Sequence, residues 1–89
     1  MRIVDEWNKG EIKVTAFHMN GRYSIKFEID LMEQWYKFRD GQFDTLDELK
    51  QQLDDAFYNK LIGIFKSMSA NRRPLVLRND DNKEFDQII

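Results

Sequence analysis

The sequence predicts an α+β fold: a two-layer sandwich in which a mainly antiparallel sheet of three or four strands is covered on one face by one long helix, in the order β-β-β-α-β. Three observations lead there. Residues 11–19 and 22–29 alternate apolar and polar side chains on either side of Asn20-Gly21. Residues 44–68 repeat apolar side chains at helical spacing. The short apolar run Leu75-Val76-Leu77 follows a basic stretch that ends in Pro74.

The first ten residues carry Ile3, Val4 and Trp7 among charged neighbours, a pattern that suits either a short strand or a turn of helix ended by Gly10. From Glu11 to Met19 the alternation is regular. Ile12, Val14, Ala16 and His18 share one face, and Lys13, Thr15, Phe17 and Met19 share the other. Asn20-Gly21 suits a two-residue turn in which both central residues need positive φ. That turn sets a register: Met19 with Arg22, His18 with Tyr23, Ala16 with Ile25, Val14 with Phe27 and Ile12 with Ile29, with Lys13 opposite Glu28 on the outer face. A third strand is expected over Glu33 to Arg39. With Leu31 and Met32 as the turn, Tyr36 and Phe38 face the core and Trp35 and Lys37 face outward, whereas a longer connection flips the parity and brings Trp35 inward.

The helix start is signalled by Thr45 and Glu48, a capping-box pair, with Asp44 as an alternative cap and Asp47 in the first turn. The predicted helix runs to about Met68, with a core stripe of Leu46, Leu49, Leu53, Ala56, Phe57, Leu61, Ile64 and Met68. Gly63 inside it suggests a bend or a close approach to a strand. Ser69 to Pro74 is expected to be a loop, Leu75 to Leu77 a fourth strand, and Lys83 to Ile89 either a fifth short strand or a tail whose Phe85, Ile88 and Ile89 dock on the core.

With 89 residues the chain is expected to form one domain, 1–89. Fourteen basic and sixteen acidic side chains give a net charge of −2, which lacks the basic excess of an electrostatically driven nucleic-acid binder. The chain has no cysteine, which removes thiolate chemistry and disulfides and is compatible with a cytoplasmic setting. No stretch approaches the roughly 18 apolar residues of a membrane span.

Chemistry-bearing residues are sparse. His18, the one histidine, lies at the hairpin end opposite Tyr23 and is expected to pack on it rather than act as a base. One histidine without cysteine excludes the usual zinc sets. The Asp80-Asp81-Asn82 segment lacks the glycine and closing glutamate of a calcium loop, so no metal or cofactor is expected. The four glycines, scattered along the chain, form no phosphate cradle. Lys66, Arg72, Arg73 and Arg78 form a candidate basic patch for phosphates or an acidic partner. Tyr58, Ile62 and Phe65 form a second apolar line on the helix, which either the C-terminal segment covers with Val76, Phe85, Ile88 and Ile89 or another protein meets, and Phe17 and Trp35 are aromatic residues on the outer sheet face; all five are candidate interface residues. The expected function is that of a small non-enzymatic module that binds a protein partner or self-associates as a homodimer. The alternative is nucleic-acid or phosphate-ligand binding through the Arg72, Arg73 and Arg78 region.

Overall fold

Three two-residue turns at ten-residue intervals set the architecture. In a computed structural model, which describes residues 1–88 and their side chains through Leu77, the strands are β1 (Arg2–Lys9), β2 (Ile12–Met19), β3 (Arg22–Ile29) and β4 (Met32–Lys37). They form a four-stranded antiparallel meander in the order β1-β2-β3-β4. The first residue of each turn, Gly10, Asn20 and Asp30, takes positive φ at 61°, 53° and 53°. Glycine, asparagine and aspartate are the residues that enter this region most readily.

The central hairpin has the expected register: His18 faces Tyr23, Ala16 faces Ile25, Val14 faces Phe27 and Lys13 faces Glu28. β4 has the expected parity but a different turn. Asp30 and Leu31, not Leu31 and Met32, close the hairpin, so Tyr36 lies opposite Ile25 and Gln34 opposite Phe27. Asp30 accepts the positive φ that leucine and methionine resist. The shift is by two residues, so every side chain keeps its face.

The helical part corrects the sequence reading in two ways. The helix expected over 44–68 is two helices, α1 (Leu46–Gln51) and α2 (Asp55–Ile88). Thr45 caps α1 as expected, its hydroxyl accepting the Glu48 amide at 3.3 Å. Asp54 starts α2, its carboxylate accepting the Phe57 amide at 2.8 Å while its carbonyl accepts from Tyr58 at 3.0 Å. An aspartate that caps a new helix competes with continuing the old one. The second correction is at the far end. The expected Ser69–Pro74 loop and Leu75–Leu77 strand are both part of α2, which runs through Pro74. The element order is therefore β-β-β-β-α-α, with the fourth strand before the helices. Proline interrupts a helical hydrogen bond, but the alanine, arginines and leucines around it are good helix formers. The expected docking of Phe85, Ile88 and Ile89 falls outside the described residues.

The α+β class holds, with helix on one sheet face. Ile12, Val14, Ile25 and Phe27 from the sheet are buried with Tyr58, Leu61 and Phe65 from α2. Phe27 is the centre: Tyr36, Phe57 and Tyr58 lie around its ring at centroid distances of 5.8, 5.5 and 6.0 Å. A polar link crosses the same seam. Buried Gln34 donates from Nε2 to the Leu61 carbonyl at 3.1 Å and accepts the Tyr36 hydroxyl at 2.8 Å, so a strand amide and a helix backbone satisfy each other. Gly63 is exposed with open space around it, so it marks no close approach to a strand. α1 is tied to β1 by Lys50, which pairs with Asp5 and sits 4.5 Å from the Trp7 ring centroid.

Two outcomes are expected. Phe27→Ala removes the ring on which Tyr36, Phe57 and Tyr58 pack and destabilises the fold by about 3 to 5 kcal/mol, read from urea midpoints. The hydrogen bond from Lys50, with a second from the Glu6 amide, holds the Asp5 carboxyl below its ordinary range. A lowered native value means the contribution is present above the ordinary aspartate range and is lost as pH falls through the native value. Asp5→Asn is therefore less stable than the parent at pH 7, and the gap closes in urea titrations run at progressively lower pH below about 4.

Candidate functional site

The sheet has one face under the helices and one face open. Alternation sends Lys13, Thr15, Phe17 and Met19 of β2, Arg22, Ser24, Lys26 and Glu28 of β3, and Glu33, Trp35 and Lys37 of β4 to the open side. Phe17 and Trp35 come from strands separated by β3, yet their rings stack at 5.1 Å with an interplanar angle of 18°. Lys26, on the strand between them, places Nζ 5.8 Å from the Phe17 ring centroid and 5.4 Å from that of Trp35. Its charge is met by Glu28 Oε1 at 3.0 Å. The Trp35 indole donates to Glu33 Oε2 at 3.0 Å.

These contacts make one layer on top of the sheet. Thr15, beneath it, is buried although no helix covers this side, because Glu6 and Lys26 flank it in the register. Trp35 stays 41% exposed. The layer therefore offers a large aromatic surface whose ring orientation is fixed on three sides by packing, a cation and a hydrogen bond. Beside it lies a groove of about 330 Å³ lined in part by Phe17, Met19, Arg22, Lys37 and Arg39.

The other sequence-derived candidates separate. Tyr58 and Phe65 are only 7% and 4% exposed and belong to the core, so they present no surface. The sheet-facing stripe of α2 is Phe57, Tyr58, Leu61, Phe65 and Met68, while Ile64 and Ala56, expected in the core, are exposed. Ile62 remains at the surface and borders an apolar groove of about 380 Å³ with Ile12, Ile29 and Met32 at the turn end of the sheet. Lys66, Arg72 and Arg73 are exposed on α2, and the Arg78 side chain lies outside the described residues. Because the segment is helical rather than a loop followed by a strand, positions 66 to 78 are spread over about 18 Å of helix axis instead of gathering. His18 packs against Tyr23 with ring centroids 4.7 Å apart.

Sequence reasoning missed Arg22, Lys37 and Arg39 as neighbours. The signal was available: Lys37 shares the parity of Trp35, and Arg22 is the partner of Met19. Among the described residues, no three His, Cys, Asp or Glu side chains gather as a metal site, and no helix is long and apolar enough to cross a membrane. The chain matches no protein-family model, no curated protein and no solved structure.

The stack makes a direct energetic prediction. In a double-mutant cycle of Phe17→Ala and Trp35→Ala, urea unfolding of the four proteins should give a coupling of about 0.5 to 1.5 kcal/mol; additive losses would show that the rings do not interact.

Proposed function

We propose that the protein is a non-enzymatic binding module that engages a protein partner through the open face of its sheet, with Trp35 and Phe17 as anchors. The observation that carries this reading is the stacked pair at 5.1 Å on a face that no helix covers. Tryptophan and phenylalanine are typical of interface centres, and tryptophan is prominent among residues that dominate binding energy. Rings already fixed by Lys26 and Glu33 lose little further freedom when a partner arrives, which is where much of the cost of association otherwise lies. A second copy of the chain is one admissible partner, which retains self-association within the same proposal. The proposal carries no cofactor and keeps the cytoplasmic setting that the composition suggested.

The nucleic-acid alternative has less in its favour. Lys66, Arg72 and Arg73 lie along a helix rather than in a cluster, and Glu28 and Glu33 stand next to the aromatic pair, where a phosphate backbone would meet like charge.

Site-specific photo-crosslinking in the native host tests the reading. A benzophenone amino acid replacing Ser24 on the open face should yield a protein adduct that disappears when Trp35→Ala is added, with the purified double variant still folded by circular dichroism at the temperature of the crosslinking. The same probe replacing Arg72 should yield none. An adduct from position 72 alone, or one from position 24 that ignores Trp35→Ala, contradicts the proposal. A nuclease-sensitive adduct would favour the alternative.

A further inference from the structure

The open face is polarised along its strands. Following the register of β3, Arg22 lies at one end with Lys37 and Arg39 beside it, Lys26 lies in the middle with Phe17 and Trp35, and Glu28, met by Lys26 and opposite Lys13 on β2, lies at the other end beside Glu33. From Arg22 to Glu28 is six residues, or about 20 Å of strand.

The cationic end is also concave. The groove of about 330 Å³ is lined by the apolar side chains of Met1, Phe17, Met19 and Phe38 together with Arg22, Lys37 and Arg39. Asp40 occupies one of these charges, accepting from Arg22 Nε at 3.0 Å. Among the described residues no carboxylate lies within 4.0 Å of the side-chain nitrogens of Lys37 or Arg39. Two exposed cations beside an apolar lining make a surface complementary to a carboxylate borne next to an apolar side chain.

Building on the open-face reading, we infer that this groove receives an acidic residue of an extended peptide segment, with an adjacent apolar side chain on Phe17 and Met19. The occupant is a peptide rather than a nucleic acid because the free cations of this face are confined to its groove end, while Glu28 and Glu33 stand beyond the aromatic pair. A polyanion lying along it repeats its negative charge and meets Glu28 and Glu33, whereas a peptide that carries one acidic end and a later basic residue is matched at both ends.

The test uses the full chain, labelled with nitrogen-15, and three probes: the peptide acetyl-Ser-Asp-Phe-Glu-Leu-Ser-Lys-amide, its isostere with Asn and Gln in place of Asp and Glu, and an eight-nucleotide oligothymidylate. The acidic peptide should shift the amides of Ser24, Lys37 and Arg39 and bind at least about tenfold more tightly than the isostere, a preference that Lys37→Gln with Arg39→Gln removes while the thermal midpoint holds. Equal binding of the two peptides at Trp35 overturns the charge selection and leaves the open-face reading standing. Acidic-peptide binding that survives Trp35→Ala but falls in the Lys37, Arg39 variant keeps the groove and contradicts the open-face reading. Tighter binding of the oligothymidylate, or no shift with either peptide, overturns the inference.

Discussion

The turn-fixed register of the meander is the constraint on which the rest of the structure depends. Each strand is joined to the next by two residues, and the first of each pair bears the positive φ. A two-residue link leaves no slack, so the facing of every side chain follows from these three turns. A slip of one residue at Asp30 would send Trp35 toward the helices and Tyr36 to solvent. It would also remove Gln34 from the seam, where it bonds the Leu61 carbonyl.

The two layers are held by an aromatic centre with a polar pin. Phe27 gathers Tyr36, Phe57 and Tyr58, and their contributions arise from area removed from water and from edge-to-face contacts. Gln34 is the one fully amide-bearing side chain buried there, and both ends of its amide are partnered. Direction comes from that pairing: apolar contacts alone tolerate a sliding helix, whereas an amide seated on one carbonyl does not. α1 is fixed separately, through Lys50 against Asp5 and Trp7 on the opposite edge strand.

How much was legible depended on whether a local signal stood alone. Asn20-Gly21 and the alternation around it carry their own register, and the central hairpin is as read. The β4 turn was ambiguous because Asp30, Leu31 and Met32 include no glycine, and a longer connection would have turned Trp35 inward; the two-residue link at Asp30-Leu31 keeps the parity of the shorter one. The helix core was misassigned for a geometrical reason. Counting one uninterrupted stripe from Leu46 assumes one helical phase, but the non-helical residues 52–54 reset it, so Ile64 turns outward and Tyr58 and Phe65 turn inward. Pro74 is a strong stop signal that the surrounding helix formers override. Of the candidate site, the facing of Phe17 was legible from the central hairpin, while that of Trp35 depended on the length of the β3–β4 connection. Their stacking across β3 required three strands in register and was not legible, whereas the parity of Lys37 with Trp35 and the pairing of Arg22 with Met19 were there to be read.

The open face thus owes its character to residues that the core does not use. Phe17 and Trp35 are covered only by each other and by Lys26, and the energy that would bury them is left for another surface. The most direct test is a nuclear Overhauser map of the free protein combined with a soluble paramagnetic probe. The account predicts ring-to-ring cross-peaks between Phe17 and Trp35, strong broadening of the Trp35 indole, and little broadening of the Phe27 ring. A protected Trp35 with cross-peaks to Phe57 or Leu61 would mean the opposite facing of β4, and the open face would then hold no aromatic pair.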